Sequence, residues 1–179
     1  MPSLDTPAWQ LSAVALSEHF RSGRLKPSDA LESILDRIAA LNPKLNAIVT
    51  LAASAARKAA LESDDRFRRG APLSPLDGIP ITIKDNLEVA GLRCTWGSRL
   101  FARHAPESDE LPVARLRAAG AVIVGKTNCS EFAMVGHTDN EVFGLTRNPW
   151  DLQLSAGGSS GGAVAAVAAG FGPLALATD

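Results

Sequence analysis

Two serines stand between glycine pairs at Gly157-Gly158-Ser159-Ser160-Gly161-Gly162, and a run of the smallest apolar residues, AVAAV, follows. Such a segment is either a flexible linker or a loop built around a working serine. A serine hydroxyl does covalent chemistry only when a base lies within hydrogen-bond reach. GGSSG at 157–161 satisfies the G-x-S-x-G elbow of the α/β-hydrolases, but that elbow needs a strand before it and a histidine after it. Asn148-Pro149-Trp150-Asp151 precedes this loop, and His19, His104 and His137 all lie upstream of Ser159. His19 falls inside a helical pattern and reads as a solvated position; His104 and His137 read as surface or core polar residues. No metal-ligand spacing joins the three, so no metal is expected.

The remaining candidate base is Lys84, which closes the apolar run Ile79-Pro80-Ile81-Thr82-Ile83. A lysine is useless as a base at its reference pKa of about 10.4, but burial lowers that value. A neutral amine at the end of a buried strand could take a proton from a serine. The competing reading is a lysine ion-paired with Asp85. GAVIVGKT at 120–127 matches the phosphate-loop pattern G-x-x-x-x-G-K-[ST]. That loop must curl its amides toward a phosphate, whereas Ala-Val-Ile-Val favours an extended buried strand. The match reads as accidental, and Lys126 as a structural or peripheral lysine whose removal costs little.

The elements that must position these residues follow from periodicity. The segment from Leu11 to Arg21 is loosely helical through Leu11, Val14, Ala15 and Phe20. A clearer helix is expected to start at a Ser28 N-cap, with Asp29 favouring its dipole. Leu31, Ile34, Leu35, Ile38 and Leu41 form its stripe, and Asn42-Pro43 is expected to stop it. LNAIVT (45–50) reads as a strand, 52–69 as an Ala-rich helix ending at Gly70, and 72–78 as a loop. Beyond it, IPITIK (79–84), AVIV (121–124) and LALA (174–177) are short strands alternating with helical patterns at 111–120 and 161–170. That alternation argues for an α/β fold with a largely buried sheet. The small residues after GGSSGG suit a helix lying close to it.

Composition bounds the partners. With 179 residues, 46% apolar content, 21% charge and a net charge of −1, the chain reads as an ordinary globular protein with one core. Basic residues do not cluster, so no nucleic acid is expected as a direct partner. No run approaches the roughly 20 apolar residues of a membrane span, and MPSLDTPAWQLSAVALSEHF lacks the basic start and apolar core of a secretory signal. Cys94 and Cys129 stand alone and read as core-filling thiols in a reduced cytoplasmic setting.

Five blocks together carry a resemblance: Pro80-Ile-Thr-Ile-Lys84-Asp85-Asn86, Gly125-Lys-Thr-Asn128, Phe143-Gly-Leu-Thr-Arg-Asn148-Pro149-Trp150, Gly157-Gly-Ser-Ser-Gly-Gly162 and Thr178-Asp179. Their order and spacing closely resemble the amidase signature family, from about residue 10 onward. The resemblance implies an α/β fold with a mixed central sheet covered by helices. It also implies hydrolysis of carboxylic amides by a Ser–cis-Ser–Lys triad without a cofactor. Lys84 would be the general base and Ser159 the bridging serine, following a cis peptide bond from Gly158. Ser160, Thr178 and Asp179 would support them, and Ala133, Met134 and Gly158 would lie against the substrate. The family's attacking serine follows the Thr-Asp pair by a few residues, in a glycine-rich turn that supplies the oxyanion hole. The chain therefore reads as the N-terminal portion of such an enzyme, inactive alone. Residues 1–70 would be a helical part and 71–179 the first part of the α/β core, together one incomplete domain.

Phe132-Ala133-Met134-Val135-Gly136-His137 occupies the acyl-pocket region of relatives and is mostly apolar, leaning toward a small or aromatic acyl group. A free-standing amidase, homodimeric at full length, is favoured over the glutamine-hydrolysing component of a tRNA-dependent amidotransferase. The latter would carry a more Ser/Glu-bearing segment than VGHTDNEV at 135–142. Rival classes are a non-catalytic binding module and a nucleotide binder acting through GAVIVGKT.

Overall fold

The computed structural model describes residues 6–179; the first five residues of the expected helical part lie outside them. A four-stranded mixed sheet carries the site, in the order β1 (Ile48–Leu51), β3 (Val122–Thr127), β2 (Pro80–Lys84), β4 (Leu174–Leu176). β1 runs antiparallel to β3, and the other pairings are parallel. The helices are α1 (Ala13–Arg21), α2 (Pro27–Leu45), α3 (Ala53–Arg68), α4 (Leu111–Ala118) and α5 (Gly161–Ala168). β1, from the first seventy residues, is an edge strand of the same sheet that holds Lys84.

Alternation along the strands divides the core. Val122 and Val124 face one cluster with Ile34, Leu35 and Ile38 of α2, Ala56 and Ala60 of α3, and Ala165 and Ala166 of α5. Ile81, Ile83 and Ile123 face the other, with Leu87, Val89 and Val113. A bulge interrupts this order: the register between β2 and β3 shifts after Ile81–Ile123, so that Ile83 pairs with Lys126 and Lys84 with Thr127. Unbroken alternation would have put Lys126 on the face of Val122 and Val124. The bulge moves it to the face of Ile83, and Lys84 points the opposite way.

The expected stripe of α2 is in place, with Leu31, Ile34, Leu35 and Ile38 buried and Leu41 packed at the margin. Its ends differ from expectation. Pro27 occupies the first turn and Lys26 the cap position, a place that suits proline because no helical N–H is lost there. Ser28 instead turns to α3, its amide and hydroxyl both donating to Asp64, at 3.0 and 2.5 Å. Asn42-Pro43 does not stop the helix, which runs to Leu45 and ends at Asn46 in the left-handed region (φ 53°). The Asn42 carboxamide accepts from the amides of Ala47 and Ile48 and donates to Ile48 O, so it ties the exit from α2 to the start of β1.

In α1 the structure reverses two expectations. Ser12 caps the helix, Leu11 lies just before it, and Val14 faces solvent. His19 is buried with Leu16, Ser17 and Phe20 instead of lying on a solvated face, because the inward face of α1 is centred on Leu16 and Phe20 and takes in the positions beside them.

α5 meets the strands through its smallest residues: Gly161, Gly162, Ala163, Ala165 and Ala166 are buried. A Cβ on Gly162 would stand 2.4 Å from both N and O of Asn128 and 2.9 Å from Ala47 O. These are backbone atoms that cannot swing away, so the helix start lies directly on the end of β3. Gly162→Ala is therefore expected to lower stability by about 1–3 kcal/mol or more, the usual cost of overpacking. Val164→Ala, at an exposed position of the same helix, should change stability by less than about 0.5 kcal/mol. Urea unfolding of the whole protein carrying each change checks the order.

Candidate active site

β2 ends in Lys84, whose side chain is wholly buried. Its Nζ donates to Ser159 Oγ at 2.8 Å, to Thr178 Oγ1 at 2.8 Å and to the carbonyl of Thr178 at 3.4 Å. Ser159 sits two residues before α5, in the loop that the small-residue helix presses against the sheet. The peptide bond between Gly158 and Ser159 is cis. A Cβ on Gly158 would come within 2.7 Å of the backbone of His137 and 2.8 Å of Val135 O, so only glycine lets this loop lie against the 135–137 segment. Ser159 O accepts from the amide of Ser130 at 3.3 Å. Ser160 Oγ donates to the carbonyl of Thr178 at 2.9 Å, and Asn86 Nδ2 donates to Thr178 Oγ1 at 3.0 Å.

Burial is the largest influence on the Lys84 amine and pushes its pKa below the ordinary lysine range; negative charge on Cys129 and Asp179 would work against it. The Cys129 thiol, itself pushed up to about 12 by burial, is neutral near neutral pH and supplies no such charge. Among the described residues no carboxylate lies within salt-bridge distance of Lys84. Burial thus favours the neutral form of an amine lying beside a serine hydroxyl, against the opposing charge of Asp179, and the neutral form is what a general base requires.

Asp85 does not pair with Lys84. The two side chains leave consecutive positions toward opposite faces, and Asp85 meets Lys126 across the bulge at 3.3 Å, both fully buried. The carboxylate also accepts from the amide and hydroxyl of Thr95, at 3.1 and 2.5 Å. Burial raises the Asp85 pKa, opposed first by the Lys126 charge and then by Thr95. Of the two readings of Lys126 the structural one holds and the peripheral one does not: its strand is extended, so it forms no phosphate loop, and its side chain is internal and paired with Asp85.

The structure brings Lys84, Ser159, Ser160 and Thr178 together in one hydrogen-bonded group, with Asp179 close enough for its charge to act on Lys84. Ala133 and Met134 lie apart from that group on the segment leading to Gly158. Phe132 and Ala133 have left-handed φ of 50° and 58°, and Met134 is 80% exposed. His104 sits at the surface beside Glu88, and His137 is exposed.

Two residues with large parts in this region carried no role in the sequence reading. Asn128 is one: its Nδ2 donates to Gly144 O and Thr146 Oγ1, and its Oδ1 accepts from Asn140 Nδ2 and the Cys129 amide. It holds the 138–146 segment to the end of β3. Asn86 is the other. Asn86 stands two residues after the end of β2 and Asn128 one residue after the end of β3, each inside a block that the sequence already singled out.

An amidase family model matches residues 29–179. The chain belongs to the amidase family. Over 174 residues it is 47% identical to a glutamyl-tRNA(Gln) amidotransferase subunit from Roseiflexus castenholzii, covering 97% of this chain and 35% of that protein. It is 43% identical over 173 residues to the indoleacetamide hydrolase of Bradyrhizobium diazoefficiens, covering 97% and 33%. Among solved structures, a bacterial aryl acylamidase of the amidase signature family superposes with a TM-score of 0.88 at 36% identity, over 95% of this chain and 36% of that one. The chain spans about a third of the length of the curated relatives it matches. The expected family and its α/β fold with a mixed sheet are both borne out.

The buried ion pair yields a test that separates amidase-fold integrity from chemistry. Lys126→Met leaves Asp85 buried and unpaired, and should cost about 3–5 kcal/mol. Lys126→Met with Asp85→Asn removes both charges and should recover most of the loss. Chemical denaturation of the whole protein measures both.

Proposed function

We propose that the whole protein hydrolyses carboxylic amides by Ser–cis-Ser–Lys chemistry, with Lys84 as general base and Ser159 as bridging serine. The observation that carries this reading is the 2.8 Å hydrogen bond between a wholly buried amine and Ser159 Oγ. In the neutral state the amine takes the Ser159 proton while Ser159 takes that of the attacking serine, whose oxygen forms a bond to the amide carbon. The ammonium then returns the proton through Ser159 to the leaving nitrogen, and the C–N bond breaks. Water repeats the relay to release the acid. The family resemblance assigns the attacking serine to a segment that follows the Thr178-Asp179 pair in sequence. Ser160 and Thr178 hold the relay in place. A cytoplasmic setting belongs to the same reading, supported by two buried cysteines that form no disulfide.

For the substrate, we favour a small or aromatic amide handled by a free-standing, homodimeric amidase. Phe132, Met134 and Val135 present apolar surface next to the Gly158 loop, and 43% identity to an indoleacetamide hydrolase agrees with it. The 47% identity to a component of an amidotransferase favours a second reading, glutamine hydrolysis within a larger complex. The first predicts turnover of aryl and aliphatic amides by the whole protein alone. The second predicts glutamine hydrolysis that appears only with partner proteins.

The lowered pKa of Lys84 fixes the sign of the pH dependence. Only the neutral amine accepts a proton, so kcat/KM should fall as pH drops through that lowered pKa. Lys84→Arg should be nearly as damaging as Lys84→Ala, roughly 100-fold or more, because a guanidinium keeps its proton. Retention of most activity by Lys84→Arg with an unchanged acidic limb would remove Lys84 as the base. Turnover by the 179-residue polypeptide, lost on Ser159→Ala, would make Ser159 itself the nucleophile.

A further inference from the structure

The Lys84 amine, its partners and one neighbouring carboxamide can be counted atom by atom. A neutral amine has two N–H donors and one lone pair. Three oxygens surround it: Thr178 Oγ1 at 2.8 Å, Thr178 O at 3.4 Å and Ser159 Oγ at 2.8 Å. The Thr178 carbonyl can only accept, and it also receives Ser160 Oγ–H. The hydroxyl of Thr178 is ambiguous, since it can accept from the amine or donate to its lone pair. Were it to donate, the lone pair would point at Thr178 and Ser159 would have no base.

Asn86 removes that ambiguity. It lies two residues past Lys84 in the turn closed by Leu87 N–H to Lys84 O, and it is 9% exposed. Its Nδ2 donates to Thr178 Oγ1 at 3.0 Å, its sole side-chain hydrogen bond among the described residues, for Oδ1 has no partner there. With Asn86 and Lys84 both donating, the two lone pairs of Thr178 Oγ1 are filled and its proton must point away from the amine. A carboxamide presenting its oxygen would have the same consequence, by drawing the Thr178 proton to itself.

We infer that Asn86 is a positioning residue for the proton relay: by engaging the hydroxyl of Thr178, it keeps that hydroxyl from donating to Lys84 and reserves the lone pair of the amine for Ser159. The inference rests on Lys84 being the base. The other ionisable groups facing the amine are the Cys129 thiol, from the segment after β3, and Asp179, after β4. Asp85 points to the opposite face, where Lys126 and Thr95 hold it.

The test is a double-mutant cycle in the whole protein, with kcat, KM and the acidic limb of kcat/KM measured for Asn86→Ala, Thr178→Val and the pair. Asn86→Ala frees the Thr178 hydroxyl to donate to the amine. It should lower kcat by roughly 10- to 100-fold at little change in KM. It should also move the acidic limb to lower pH, because a donated hydrogen bond stabilises the neutral amine. In the Thr178→Val background no hydroxyl remains to misdirect, so adding Asn86→Ala should change kcat by less than about twofold. Asn86→Asp still engages the hydroxyl but adds a negative charge. It should retain kcat at alkaline pH while its limb moves up, which keeps the question open to measurement should the alanine variant fail to fold. Costs that multiply in the double variant, or an Asn86→Asp limb that stays in place, would overturn the inference. Lys84→Met is the control: if it retains activity, the base assignment fails; if it is inactive while the cycle is multiplicative, only the role of Asn86 fails.

Discussion

The site depends on one lysine placed at the end of a fully buried strand with no carboxylate among the described residues within salt-bridge distance of it. Lys84 gives up its hydration shell and finds only hydroxyls and a carbonyl in return. These partners suit an amine in either protonation state, with one proton deciding whether nitrogen donates to Ser159 or accepts from it. An ion pair would have favoured the charged state, which has no lone pair with which to accept a proton. The acid that could have formed such a pair is next in sequence, and β-strand alternation together with the bulge in β3 commits it to Lys126 on the far face.

The remainder of the structure keeps those few atoms in register. α5 approaches the end of β3 until Gly162 touches the backbone of Asn128 and Ala47, which fixes where the loop carrying Ser159 ends. Asn128 ties the 138–146 segment to the same strand end, and Thr138 Oγ1 from that segment accepts from the amide of Gly161. The start of α5 is thus held from the strand side and from the loop side. β4 brings Thr178 alongside through its pairing with β2. Precision here comes from small residues and side-chain amides at element ends, where a change of one methyl group meets backbone.

Much of this was legible in the sequence because each signal was local. The β-branched runs at 79–84 and 121–124, the α2 stripe and the small residues after GGSSGG report burial and period directly, and the corresponding elements are present. The lysine ending IPITI and the serines between glycines were recognisable for the same reason. The misreadings concern features set by distant partners. Ser28 has the composition of an N-cap, yet its groups go to Asp64 on another helix. Pro43 looks like a stop, yet falls where Asn42 already manages the helix exit. Lys126 could be read as structural or peripheral because neither the bulge nor the approach of Asp85, just past the end of β2, can be seen in a run reading GAVIVGKT. Asn86 and Asn128 stand inside recognisable blocks, but the side chains and carbonyls that hold them in the fold lie 92 and 12–18 residues away.

Burial lowers the pKa of the Lys84 amine and so makes its neutral form accessible to the chemistry we propose, and its own titration is the most direct check. In the whole protein with lysine labelled at Cε and Nζ, the Lys84 resonance can be assigned by its loss in Lys84→Arg and followed against pH. The account predicts a midpoint well below that of the exposed Lys44 and Lys58 in the same spectra. A Lys84 midpoint at or above theirs would mean the amine is charged under working conditions, and the base would have to be another group.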